Sequence, residues 1–364
     1  TIATVNLVLV VVTILLLVLL WQLRSLIIVL MIAVVIAATL APIIAVAQKL
    51  GIPRWLATIL VYLGLIAILT GLVFLIGPTV VEQIQRLIRK LPSYLEAVRS
   101  LIDHLAMRFG MAEPGKTTII SQLLDPQALT NWIIRSSQKV VIGSYYVVTK
   151  GIIGNVFGLL LAFIVSGYML SGSDKLLRDI LNLFPYPWNE RLAKQIKPVS
   201  QRMGGYIQGR ILVSAILAIA ISIGLGFLGL SELALGLGVI AGFTNLIPFF
   251  GPVLGSIPAL IVATAQGGWT FLWVLLLFVV IQNIETYLLD PVLVGSSVKI
   301  HPLYQLLAVL GGAQVLGIIG ALIVPPWVAG SSLLIDTLYT QPKLLTEGKM
   351  LEINNAQVEV EPVN

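Results

Sequence analysis

Between Glu232 and Glu285 the chain carries no charged residue. A helix that crosses a bilayer needs about 20 apolar residues, so this run is longer than one crossing can use. It is also interrupted. The stretch Ala241-Gly-Phe-Thr-Asn-Leu-Ile-Pro-Phe-Phe-Gly-Pro-Val-Leu-Gly-Ser-Ile-Pro258 sets Pro248, Pro252 and Pro258 among Gly242, Gly251 and Gly255. Each proline removes a backbone donor and crowds the turn before it, so one smooth helix is not expected. Irregular backbone at membrane depth survives only where protein buries it or where it lines a watery cavity. Transporters place substrate and ion sites at such breaks. The run closes on Gln282, Asn283, Glu285 and Asp290, polar groups at the end of the next apolar segment.

Composition fixes the class. Only 10% of residues are charged and 58% are hydrophobic, with a mean hydropathy of +1.02. Soluble domains carry about 25% charged residues. The apolar runs are continuous rather than ten-residue alternating segments, so the spans read as helices. The expectation is an all-α polytopic membrane protein with about eight membrane segments. The net charge of +6 does not point to nucleic acid, because the basic residues sit between spans without interleaved aromatics. Topology and lipid contact account for them. The absence of Cys excludes disulfides and thiolate metal sites.

Residues 1–78 read as three spans, near 5–22, 25–48 and 55–78, the third ending at Gly77-Pro78. Residues 79–150 change character. Apolar spacings of three and four predict amphipathic helices broken around Pro92, forming a cap, an oligomer contact or a helical extension of spans three and four. Residues 151–172 give a fourth span. Residues 173–210 are a basic loop holding Lys175, Arg178, Arg191, Lys194, Lys197, Arg202 and Arg210. That excess places the loop in the cytoplasm, and both termini with it when each interrupted run counts as one crossing. Residues 211–340 form a C-terminal core with two interrupted runs, 233–266 and 302–338. Each is a broken span or a re-entrant hairpin, with hinges expected at Gly242, Pro248, Gly251, Pro252, Gly255, Pro258, Pro291, Gly295, Gly311, Gly312 and Pro325. Residues 341–364 are a polar tail.

Glu285 is the acid closest to membrane depth, and Gln282 shares its helix face. A carboxyl there is expensive and could bind a cation or carry a proton; the plainer reading is a helix end at the interface. Asn245, beside the Pro248 break, could hold a ligand or repair freed backbone. Arg210 reads as an interfacial anchor that snorkels, and His301 and Asp336 as interfacial. No phosphate-cradling loop and no catalytic constellation is present, so neither ATP hydrolysis nor an enzyme is expected. No cofactor is expected beyond a transported Na+ or H+.

The segments Asn245 to Ala259, Gln282-Asn-Ile-Glu285, Leu289-Asp-Pro-Val-Leu-Val-Gly295, His301-Pro302 and Gly317-Ile-Ile-Gly320 resemble the autoinducer-2 exporter family of bacterial permeases. The resemblance is specific over 240–330 and architectural before that. It implies eight membrane segments, secondary transport in the bacterial inner membrane, and oligomers. Members are associated with export of the quorum-sensing signal autoinducer-2 or with sodium/proton antiport. The site residues expected to meet cargo are Asn245, Gln282, Asn283, Glu285 and Asp290. A passive channel and a non-transporting scaffold are the alternatives.

Overall fold

The computed structural model describes residues 2–108, 153–295 and 301–343. The expected helices of 109–152 and the tail beyond 343 lie outside those residues. The described chain is helical throughout. Its elements are α1 (Ile2–Gln22), α2 (Arg24–Lys49), α3 (Arg54–Arg108), α4 (Ile153–Ser171), α5 (Ser173–Leu181), α6 (Trp188–Leu225), α7 (Ala234–Thr244), α8 (Phe250–Gln266), α9 (Gly268–Ile284) and α10 (Pro302–Ile335). Five helical stretches among the described residues are long and apolar enough to cross a membrane. A sixth counts if α4 and α5, bent by 87°, are taken as one span. Large side chains such as Phe74, Leu75 and Val73 stand exposed on the outside. In water such a surface would aggregate; in a bilayer, lipid covers it. The chain is an all-α, multi-pass membrane protein.

α6 is the scaffold, packed by α2, α7, α10 and the segment after α9. Small residues allow the closeness. Gly204 lies against the Ala38 carbonyl of α2, and Gly209 against the Leu293 carbonyl, where any side chain would collide with backbone. Leu217, Ile221 and Leu225, on one face of α6, pack with Leu237 and Ala241 of α7 and Val262 of α8 into the main core. A second core joins α2, α4, α6 and α10 around Ala33, Ala162, Met203 and Ile323. Polar pins reinforce it: Gln208 Nε2 donates to the Thr39 carbonyl at 2.6 Å, and Trp327 Nε1 to the Met31 carbonyl at 3.2 Å. At one end Arg54 donates to the Leu170 carbonyl and pairs with Asp174, tying the start of α3 to the α4–α5 bend.

Four expectations need correction. α3 does not end at Pro78 or break at Pro92; it runs 55 residues through both. A proline costs one ladder bond and bends a long helix without terminating it. At 1.5 Å per residue α3 measures about 80 Å, against a core of about 30 Å. Second, 173–210 is not a loop: it is α5, a turn, and the first half of α6. Third, the 233–266 interruption is confined to 245–249, where the chain turns back so that α8 packs on α7. Gly255 sits on Ala241, and Gly251 on the backbone of Thr244 and Asn245. Gly242, Gly251, Pro252, Gly255 and Pro258 are helical, and only Pro248 lies in the turn. Phe249 holds φ 66°, a strained value for a bulky residue. Fourth, the 302–338 run turns at Gly317 (φ 65°, ψ −149°), not at Gly311, Gly312 or Pro325. Gly312 and Gly320 then meet backbone to backbone. A conformation of this kind is open only to glycine.

Candidate functional site

After Ile284 the helix widens into π turns over Glu285–Val294. Pro291 supplies the reason: it has no N–H to donate, so the ladder slips by one residue. Gly295 N accordingly donates to the Asp290 carbonyl, five residues back, at 2.7 Å. The widening turns Glu285 toward α6 and the α7–α8 turn. There it meets Arg210. Arg210 is 5% exposed and Glu285 2%, with Nη1 to Oε1 at 3.0 Å. The same Nη1 lies 3.4 Å from Asp290 Oδ1, whose side chain is 40% exposed.

Asn245, 2% exposed, completes the cluster. Its Oδ1 accepts from Arg210 Nη2 at 3.3 Å and its Nδ2 donates to Glu285 Oε1 at 3.0 Å. Arginine only donates and an ionised carboxylate only accepts, so this amide orientation alone satisfies both neighbours. Asn245 is also where α7 ends, with its N–H on the Ala241 carbonyl. The helix reversal and the polar cluster are therefore one piece of structure.

Two cavities flank the Arg210–Glu285 pair. The smaller, about 20 Å³, is bordered by Leu217 and Ile221 of α6, Asn245, Pro252, Gln282 and Glu285. The larger, about 230 Å³, is bordered by Arg210, Thr286, Asp290, Pro291, Val294, Gly295 and Gln305. Their linings follow one another along α6 and along α9 with its π extension, so the pair stands between them. The smaller holds about one water.

Of the five expected site residues, Asn245, Glu285 and Asp290 come together. Gln282 borders the smaller cavity and donates to Thr286. Asn283 does not join: it is exposed and donates to the Val279 carbonyl one turn back. Arg210 is the residue the sequence reading misplaced. It does not snorkel toward solvent, because it is buried and paired with Glu285. The signal was present: a carboxylate at membrane depth requires a partner, and Arg210 is the last basic residue before an uncharged stretch of α6. His301 caps α10, its Nδ1 accepting from Leu303 N at 3.3 Å. Asp336 is exposed at the far end of α10 and accepts from Gln341.

Residues 9–339 match the family model described as "AI-2E family transporter". The chain is similar to "Putative transport protein YrrI" of Bacillus subtilis (strain 168), 26% identical over 314 residues covering 84% of this chain and 85% of that protein. It is 28% identical over 310 residues to "Putative transport protein sll0063" of Synechocystis sp., covering 83% and 75%. "Putative permease PerM" of Escherichia coli (strain K12) is 26% identical over 269 residues, covering 72% and 73%.

Proposed function

We propose that the chain, which belongs to the AI-2E transporter family, is a secondary transporter. It moves a small polar solute of the autoinducer-2 kind, or exchanges Na+ for H+, across the bacterial inner membrane. One observation carries this reading: a buried charge pair, Arg210 with Glu285, stands between two cavities at a helix reversal. Burying two charges costs several kcal/mol per ion before their attraction is counted. A scaffold needs no such pair, and a passive channel needs a path that the pair interrupts. Glu285 and Asp290 bind the coupling cation or proton, and Asn245 and Gln282 supply neutral donors and acceptors. The hairpins turning at 245–249 and Gly317 move for alternating access.

Two carboxylates against one guanidinium favour a cation at the cluster. The larger cavity, with Thr286, Asp290 and Gln305 on its walls, suits a hydroxyl-rich solute as the second reading. The basic stretch from Lys175 to Arg202 faces the cytoplasm, and both termini follow it there. The test is flux in proteoliposomes under imposed sodium and proton gradients, with a pH-sensitive dye inside. Sodium-driven proton movement that vanishes in Glu285→Gln supports the reading. Flux indifferent to the gradients indicates a channel, and flux with an unaltered pH dependence in Glu285→Gln removes the coupling role.

A further inference from the structure

Arg210 is held by its tip alone. Nη1 and Nη2 reach Glu285, Asp290 and Asn245, while Nε, equally buried, has no hydrogen-bond partner among the described residues. Ser214, four residues on and on the same helix face, has a buried hydroxyl that also lacks one. A guanidinium built to lock two helices presents two parallel N–H bonds to one carboxylate; this one makes a single bond to Glu285. The backbone beneath is fixed, because Gly209 is pressed on the Leu293 carbonyl. Any movement is therefore the side chain's. The larger cavity lies beside the guanidinium and offers Asp290, Thr286 and Gln305 as acceptors.

We infer that the Arg210 guanidinium is a tethered stand-in for a transported monovalent cation. It occupies Glu285 when no cargo is bound. An incoming cation takes Glu285 while Arg210 swings to Asp290 and the larger cavity. The inference rests on the transport reading above. It follows that the empty protein never presents a bare carboxylate at membrane depth, where one is costly, so it resets without cargo, as cation-coupled solute transport requires and obligate Na+/H+ exchange does not. Cation binding is weaker than the carboxylates alone would give, because the cargo must displace Arg210 each time. The orphaned Nε and Ser214 hydroxyl mark the side from which the guanidinium is unrestrained.

The experiment compares the purified full chain with Arg210→Gln and Arg210→Lys, using Na+ and free guanidinium ion at millimolar concentration as probes. Binding is read by thermal shift in detergent and transport by radioactive sodium in proteoliposomes. Arg210→Gln is expected to bind Na+ at least tenfold more tightly than the natural chain and to be stabilised by free guanidinium. Arg210→Lys, which keeps a tethered cation, is expected near the natural affinity. Sodium-for-sodium exchange persists in Arg210→Gln while net flux falls at least tenfold, because the empty carrier no longer resets. Equal Na+ affinity in the natural chain and Arg210→Gln overturns the inference and leaves the transport reading standing. Exchange and net flux falling together also overturns it, since that marks a purely structural arginine. Sodium binding to neither protein overturns both the inference and the cation reading of Glu285. If Arg210→Gln yields no folded protein, Arg210→Gln combined with Asp290→Asn restores the charge balance. It is compared with Asp290→Asn alone by the same criteria.

Discussion

The Arg210–Glu285 pair can be measured by a double-mutant cycle. Replacing one partner of a buried pair leaves an uncompensated charge and costs about 3–5 kcal/mol. The two single replacements are not equivalent here. Arg210→Met strands Glu285, 2% exposed, with only Asn245 Nδ2 as a donor, so its cost lies at the upper end. Glu285→Leu leaves Arg210 within 3.4 Å of Asp290 and in contact with Asn245, so its cost lies at the lower end. The singles then sum to about 8 kcal/mol. Arg210→Met with Glu285→Leu removes both charges and fills the space with apolar atoms. Such replacements are neutral or stabilising by about 1–4 kcal/mol. Against that stands an Asn245 amide that has lost both partners, at about 1–3 kcal/mol. The double variant is expected near the natural stability, with a coupling energy above about 5 kcal/mol. The assay is unfolding by added SDS in mild detergent micelles, followed by fluorescence of the chain's seven tryptophans. A double variant that loses the sum of the singles would refute the reasoning.

The Gly317 reversal separates three glycines that look alike. Gly317→Ala is expected to cost about 1–3 kcal/mol, because its backbone conformation is closed to alanine. Gly320→Ala is expected to cost at least as much, its methyl meeting the Gly312 carbonyl. Gly311→Ala points into open space within a helix and is expected to stabilise by about 0.5–1 kcal/mol. Detergent unfolding of the three variants checks the order, and equal losses would mean the chain does not reverse at Gly317. On α3, Gln83 accepts from Gly236 N at 2.6 Å, standing in for the cap that Leu233 cannot supply to α7. Gln83→Ala is expected to cost about 0.5–2 kcal/mol and to speed hydrogen exchange at the start of α7. Glu232→Gln, which breaks exposed pairs with Arg86 and Lys90, is expected to cost under about 1 kcal/mol and to lose its effect in high salt.

Glu285, Asn245 and the interrupted run were legible because their signals are local: a carboxylate after an apolar segment, an amide beside a proline, a cluster of helix breakers. Arg210 was not, because its role exists only across 75 positions of chain. Counted with six other basic residues it looked like a topology signal. Gly317 was hidden for a related reason. Its sequence neighbourhood matches that of Gly311 and Gly312, and only the partner on the other arm decides which glycine bends. α3 misled in the opposite direction. Its charged residues from Arg86 onward signal departure from lipid, which leaves a cap, an oligomer contact and a helical extension equally open in the sequence. A helix has no reason to stop where the solvent changes.

That continuity has a mechanical meaning. α3 is one continuous helix of about 80 Å along its path, anchored at its start by Arg54 on Asp174. It meets the α7–α8 hairpin at Gln83, about 44 Å along, and goes on packing against the main core through Leu87 and Tyr94. Beyond Tyr94 the helix runs on for about 21 Å to Arg108. The Gln83 hydrogen bond joins α3 to the first turn of α7, whose eleven residues lead to Asn245 and the charge pair. The charge cluster is thereby joined, through one hydrogen bond and one short helix, to a helix that runs on far beyond it.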